Sequence, residues 1–276
     1  MKLTEVGTRG FAGDYKQFDG TVHSEAQFAF CDIVNEWYGD AYDSENAMVR
    51  RVLMSESVYT LSLVGNCFYY VKQGVNSGNP ATVIIDSFVN QYYLRCAYRL
   101  LMLENGEIDK ANMDAYRKYV RSISNGDDNI NMVDCNIRDI YNLQTVAEVL
   151  EGFGIIYTSA DKTKNILECD PIEDISDMTF LKRHFMPDPD YSSLIRSPID
   201  KKTIQELVNW IRESGDDEEA MYENLATSLR FAYHWGPQYY EEHRRKINNG
   251  LDAIGKRRLD LPYADLNQKW LAQFHA

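Results

Sequence analysis

Tyr119-Val120-Arg121-Ser122-Ile123-Ser124-Asn125-Gly126-Asp127-Asp128-Asn129-Ile130-Asn131-Met132-Val133 decides how this chain is read. Two short alternating runs, Tyr119 to Ser124 and Asn129 to Val133, flank Asn125-Gly126, a strong short-range signal for a hairpin. Asp127 and Asp128 then stand at the tip of a paired ribbon. A second acidic cluster, Asp14-Tyr15-Lys16-Gln17-Phe18-Asp19, closes the short strand pattern Phe11-Ala12-Gly13-Asp14-Tyr15. Carboxylate oxygens at strand and hairpin ends suit hard cations such as Mg²⁺. A pair of such ions can stabilise both the attacking and the leaving oxygen of a phosphoryl displacement. A polar hairpin tip or a Ca²⁺ loop uses the same residue types. The Ca²⁺-loop pattern fails here: with ligands at Asp127, Asn129 and Asn131, it meets Met132 where glycine is needed and Arg138 where a bidentate glutamate belongs.

Composition permits this chemistry without demanding it. The 276 residues are 44% hydrophobic and 26% charged, ordinary for a globular protein that buries a core in one or two compact units. Met1-Lys2-Leu3-Thr4-Glu5 lacks the apolar core of a signal peptide, and no run reaches the roughly 18 apolar residues of a membrane span. Cys31, Cys67, Cys96, Cys135 and Cys169 are scattered without Cys-x-x-Cys spacing, which fits reduced thiols and argues against a zinc site. A net charge of −13 is awkward for an enzyme that grips phosphates. The basic residues nevertheless cluster, at Arg117, Lys118 and Arg121, at Lys182-Arg183, at Arg244-Arg245-Lys246 and at Lys256-Arg257-Arg258, offset by Asp216-Asp217-Glu218-Glu219. Each run reads equally as a solvated helix face, so charge decides nothing.

The periodicities supply the remaining elements. Ser24 to Tyr38 repeats apolar residues at helical spacing up to Gly39, and Asp43-Ser44-Glu45 caps a second helix running to about Val58. Tyr59 to Val71 is a hairpin pattern broken at Gly65-Asn66, and Gly74 to Pro80 is a loop. Val83-Ile84-Ile85 alone suggests a strand, but the length of Ala81 to Leu103, with Pro80 before it and Asn105-Gly106 after it, predicts a helix. A helix from about Asp139 to Glu151 and strands at Ile155 to Thr158 and Met178 to Phe185 follow. After Pro198 the pattern is helical: Thr203 to Arg212, Glu218 to Tyr233, Gln238 to Asn248 and a last piece ending Trp270-Leu271. Pro187, Pro189 and Pro198 mark the best boundary.

In this order the segments resemble the palm and thumb of picornavirus-like RNA-dependent RNA polymerases. Asp14-x-x-x-x-Asp19 resembles the family's first palm motif, Gln73-Gly74-Val75-Asn76-Ser77-Gly78-Asn79-Pro80-Ala81-Thr82 through Asp86-Ser87 the second, and Asn125-Gly126-Asp127-Asp128-Asn129 the third. The helix to Gly154 with Ala160-Asp161-Lys162-Thr163 resembles the fourth, and Phe180-Leu181-Lys182-Arg183 the fifth. A lone Gly-Asp-Asp is weak; five motifs in register are specific. The resemblance implies an α/β (α+β) right-hand fold: a palm with a central antiparallel sheet and helices, a partial fingers insertion and a C-terminal helical thumb. The expected division is palm from 1 to 24, fingers insertion from 25 to 74, palm from 75 to 190 and thumb from 191 to 276. The family is considerably longer, so the N-terminal fingers are expected to be missing.

The resemblance also implies roles. Asp14 and Asp127 hold two Mg²⁺ ions, which Mn²⁺ can replace, with Asp128 a weaker partner and Tyr15 also among the metal residues. Asp19, Ser77, Gly78, Thr82 and Asp86 border the incoming nucleotide, with Asp19 sensing the ribose 2′-hydroxyl where a reverse transcriptase carries a bulky steric gate. Lys162 is the general acid for the leaving pyrophosphate, and Leu181, Lys182 and Arg183 contact the primer backbone. RNA template-primer, nucleoside triphosphates and other viral replication proteins are the implied partners, and membrane-associated replication complexes in the host cytoplasm the setting. A non-catalytic RNA- or protein-binding remnant of the fold is the alternative from a different class; a reverse transcriptase, against which Asp19 and Lys162 argue, is the second.

Four positions depart from the family pattern. Asn125 replaces a tyrosine, Asn76 a proline, and His184 stands where an aromatic is commoner. The fourth is Asp86, in place of the asparagine that works with the residue matching Asp19. Two carboxylates sharing that site repel, so one tends to stay protonated.

Overall fold

The computed structural model describes residues 3–160, 165–210 and 215–274. The chain divides into two compact units, Met1–Leu181 and Lys182–Ala276. The first contains β1 (Arg9–Tyr15), α1 (Phe18–Thr21), α2 (Ser24–Tyr38), α3 (Glu45–Val58), β2 (Leu61–Val64), β3 (Cys67–Tyr70) and α4 (Thr82–Glu104). It continues through α5 (Met113–Tyr119), β4 (Val120–Asn125), β5 (Asp128–Val133), α6 (Leu143–Gly152), β6 (Tyr157–Ser159), β7 (Glu173–Asp174) and β8 (Thr179–Phe180).

Strand β1 is buried from Gly10 to Tyr15, as the middle strand of a sheet should be. The sheet runs β4-β5-β1-β6, with β7 pairing the other end of β1, and every pairing is antiparallel. Alternation sends Phe11, Gly13 and Tyr15 to one face and Ala12 and Asp14 to the other. The first face meets the core: Phe11 packs edge-on to Tyr141, which also meets Tyr98 and Tyr116. Tyr93, Leu94, Leu101, Val146 and Leu150 from α4 and α6 complete this layer. Gly13 has a steric reason to be glycine, because an added Cβ would lie 1.9 Å from the Tyr157 hydroxyl. The α3 and β2–β3 insertion presents Met48, Val52, Leu53, Leu61 and Phe68 outward, all exposed.

Three local expectations change. Asn125 pairs with Asp128, so the hairpin turn tightens to Gly126-Asp127. Gly126 takes φ 63°, the positive value that the first central residue of a type II′ turn requires. Helix α6 starts at Leu143, because the Asn142 side chain accepts from the Gln144 and Thr145 amides while the Thr145 hydroxyl accepts from the Asn142 amide. The predicted strand from Met178 to Phe185 breaks into Thr179–Phe180 and β9 (Arg183–His184), because Leu181 and Lys182 between them are left-handed, with φ 52° and 59°. Helix α5, absent from the sequence-based expectation, is capped by Asn112 and buries only Tyr116.

In the second unit, β9 is followed by β10 (Met186–Pro187), β11 (Ile195–Arg196), α7 (Lys201–Glu206), α8 (Asp217–Ala232), α9 (Pro237–Ala253) and α10 (Tyr263–Ala272). Its apolar core joins Ile204, Leu225, Leu229, Tyr240, Ile247 and Leu251. A buried cation sits beside it: Arg196, 1% exposed, donates to Asp188 Oδ2 at 2.6 Å, to the Tyr233 carbonyl at 3.0 Å and to the Tyr263 hydroxyl at 2.7 Å. Its guanidinium also lies 4.5 Å from the Tyr233 ring centre and 5.3 Å from that of Trp270. Burial pushes the Asp188 carboxyl up, and hydrogen bonds from Arg196 and from the Asp190 and Tyr191 amides more than reverse this, leaving it below its usual value. Removing one partner of such a pair strands a buried charge. Arg196→Met is therefore expected to destabilise the second unit by about 3–5 kcal/mol, lowering its melting midpoint by at least ~10 °C. Tryptophan fluorescence follows the transition; an unchanged midpoint would contradict this.

Candidate active site

The sheet register alone brings the two acidic clusters together. Gly13 opposes Asn129 on β5, so Asp14 and Asp128, each one residue away, fall on the same face beside the turn that carries Asp127. Each of the three offers a carboxylate oxygen, and these atoms lie within 4.8 Å of one another, with Asp14 buried. Among the described residues this is the one cluster of three metal-ligating side chains so placed. An all-oxygen donor set suits Mg²⁺ or Mn²⁺ and disfavours softer ions. The Tyr15 amide donates to Asp14 Oδ1 at 2.7 Å, fixing that carboxylate from its own strand.

The face beneath this cluster is polar and buried. Asn90 on α4, 0% exposed, donates through Nδ2 to the Gly126 carbonyl at 3.0 Å, the Asp127 carbonyl at 2.8 Å and the Asp128 carbonyl at 3.4 Å. Its Oδ1 accepts from the Tyr15 hydroxyl at 3.2 Å. Ser87 accepts the Gly126 amide at 2.8 Å and, through its carbonyl, the Ser124 hydroxyl at 3.0 Å. Asn129 Oδ1 accepts from the Tyr157 hydroxyl at 2.6 Å and from Asn131 at 2.7 Å. Burial pushes the Tyr157 phenol far above its usual value, so it stays a neutral donor.

A second group of expected site residues gathers between α1 and α4. Asp19 is exposed, and the Ser77 hydroxyl donates to its Oδ2 at 3.4 Å. The loop holding Ser77 and Gly78 is latched there: the Val75 amide donates to the Asp19 carbonyl at 2.7 Å, and the Gly74 amide to the Val22 carbonyl at 2.8 Å. Thr82, opening α4, returns its hydroxyl to the Asn76 and Asn79 carbonyls at 2.7 Å each, closing the loop onto the helix. Asp86 lies one turn further along α4, 4% exposed, and its Oδ1 has no hydrogen-bond partner among the described residues. Burial first, then the charges of Asp19 and Asp127, raises its pKa to about 7. A carboxyl so placed is half neutral near physiological pH and can donate a hydrogen bond as an amide does.

The remaining expected positions are Lys162, Leu181, Lys182 and Arg183. Lys162 lies outside the described residues. Leu181 ends the first unit, while Lys182 and Arg183 open the second; Arg183 donates to the Ser197 carbonyl at 2.9 Å and stacks over Phe231 at 5.5 Å. Sequence reading missed Asn90 and Tyr157, and gave no role to Ser87 and Asn129, which it quoted within the second and third motifs. The signal for Asn90 is its place four residues after Asp86, a second polar side chain on the face of α4 that also carries Val89, Tyr93 and Leu94.

The chain is 34% identical over 270 residues to the genome polyprotein of rice tungro spherical virus (strain A), an alignment covering 98% of this chain and 8% of that protein. It is 31% identical over 231 residues to the replicase polyprotein of acute bee paralysis virus, covering 83% of this chain and 12% of that one. The chain thus spans a small part of these relatives. Among solved structures, the Sicinivirus 3Dpol RNA-dependent RNA polymerase superposes with a TM-score of 0.76 at 22% identity, over 96% of this chain and 51% of that one. That likeness establishes the polymerase fold. The family model described as viral RNA-dependent RNA polymerase matches residues 1–250, and the chain belongs to that family.

Proposed function

We propose that this chain carries the catalytic centre of an RNA-directed RNA polymerase of a picorna-like virus, released from or embedded in a polyprotein. The observation that carries the reading is the convergence of Asp14, Asp127 and Asp128 within 4.8 Å on one sheet face. Bound there, two Mg²⁺ ions would favour attack of a primer 3′-hydroxyl on the α-phosphate of a nucleoside triphosphate and neutralise charge on the departing pyrophosphate. The chain's own residues do the positioning. Asp14 and Asp127 hold the ions, with Asp128 a weaker partner in the same cluster. Asp19, Ser77 and Asp86 face the ribose, with Gly78 and Thr82 shaping the loop beside the nucleotide. Lys162 protonates the leaving group, and Leu181, Lys182 and Arg183 hold the primer strand through its phosphates. RNA template-primer and ribonucleoside triphosphates are the substrates. Other viral replication proteins are the partners, within membrane-associated complexes of the host cytoplasm; among the described residues, no helix is long and apolar enough to cross a membrane.

The test is primer extension on an RNA template with Mg²⁺. It compares this chain, the chain joined to an upstream segment supplying N-terminal fingers, and the Asp127→Ala variant of each. Extension by the active form should fall at least ~10³-fold in the variant, as expected when a group central to charge stabilisation is lost. Extension that survives Asp127→Ala unchanged would refute the assignment.

Asp86 gives a pH signature. Below about 7 its carboxyl is neutral and donates towards Asp19 or the ribose; above, it becomes a second carboxylate beside Asp19. Selectivity for ribo- over deoxyribonucleotides is therefore expected to fall as pH rises from about 6 to about 8. The Asp86→Asn variant, neutral throughout, should give a flat profile. Competition between the two nucleotides at each pH measures this, and a wild-type profile as flat as that of the variant would exclude the effect.

A further inference from the structure

The two halves of the acidic cluster belong to different strands, and their separation depends on what joins β1 to the β4–β5 turn. Asn90 does this with one amide. Its Nδ2 donates to the carbonyls of Gly126 and Asp127, with Asp128 at 3.4 Å, and its Oδ1 accepts from Tyr15, the residue directly after Asp14. An amide is suited to this because it donates and accepts at once; a carboxylate cannot donate, and an apolar side chain does neither.

We propose that Asn90 is a positioning residue that fixes the separation of Asp14 from Asp127 and Asp128 and thereby sets the preference of the cluster for Mg²⁺ over Mn²⁺. The inference rests on reading that cluster as the metal site. Mg²⁺ demands near-ideal octahedral geometry and gives up water reluctantly, so a slack cluster costs it more than it costs Mn²⁺, which the same oxygen donors suit. Groups that orient metal ligands are typically worth 10–100-fold in metal affinity. A buried amide that merely satisfied carbonyls would stabilise the fold and leave the ratio of the two affinities alone. Tyr15 provides a separate handle, because its hydroxyl ties the β1 side of the link and its ring stays packed on Phe18 and Tyr157 when the hydroxyl is removed.

The experiment is a Mn²⁺ titration of the whole chain followed by electron paramagnetic resonance, with Mg²⁺ affinity measured by competition. It uses the wild type, Asp127→Ala, Asn90→Leu and Tyr15→Phe, with near-ultraviolet circular dichroism reporting the fold. Asp127→Ala should abolish tight binding. Asn90→Leu should raise the Mg²⁺ dissociation constant about tenfold or more and that of Mn²⁺ by less than about threefold. Tyr15→Phe should shift the ratio the same way by a smaller factor, and it decides the matter if Asn90→Leu does not fold. A wild-type Mg²⁺/Mn²⁺ ratio in folded Asn90→Leu, or in Tyr15→Phe where that decides, overturns the proposal; loss of binding in Asp127→Ala then leaves the metal reading standing. Equal binding by wild type and Asp127→Ala would instead remove the metal site, and the proposal with it.

Discussion

Three carboxylates within 4.8 Å of one another repel, and much of the first unit serves to hold them there. The strands do the coarse placement, because a pairing of Gly13 with Asn129 fixes which residues share a face. A slip of one residue would send Asp128 to the core and Asn129 to the site. Fine placement falls to neutral hydrogen bonding. Asn90, Ser87, Asn129 and Tyr157 approach the turn and β1 from the packed side without adding charge. The arrangement leaves the anionic side open to cations and keeps the buried side neutral. Gly13 belongs to the same solution, since only a residue without a side chain lets the Tyr157 ring cross β1 and reach Asn129.

The second unit solves a different problem with a related device. Short strands and helices α7 to α10 enclose a modest apolar core, and Arg196 gathers Asp188, Tyr233 and Tyr263 around one guanidinium. A planar, permanently charged fork can satisfy a carboxylate, a carbonyl and a hydroxyl together while stacking on aromatic rings. Nothing in the local sequence of Ser193-Leu194-Ile195-Arg196-Ser197 marks that arginine as buried. Two of its partners, Tyr233 and Tyr263, come from 37 and 67 residues away, and periodicity carries no information at that range.

Legibility follows the same division. Helix α2 and the first hairpin were readable because apolar spacing and turn residues agree, and α4 because its length outweighs the β-branched Val83-Ile84-Ile85. The start of α6 was not, since its cap pairs Asn142 with Thr145 in place of the commoner Ser/Thr and Glu/Gln. The break at Leu181 and Lys182 was hidden because two left-handed residues stand there without a glycine to announce them. In the candidate site the carboxylates were legible as residue types at strand ends, and the register then joined them. The amide that braces them was not, because a buried asparagine in a helix looks the same in sequence whether or not a turn 36 residues on needs it. The ionisation of Asp86 lies between: the charge pair with Asp19 could be inferred, while the burial that dominates its shift could not.

The central claim is that Asp14, Asp127 and Asp128 form one site for divalent cations. The most direct measurement is anomalous diffraction from crystals soaked in Mn²⁺. The account predicts an anomalous peak within coordination distance, about 2.0–2.6 Å, of carboxylate oxygens from Asp14 and from the Gly126-Asp127-Asp128 turn. Ordered crystals with no peak there, or with Mn²⁺ bound only at other carboxylates, would contradict it.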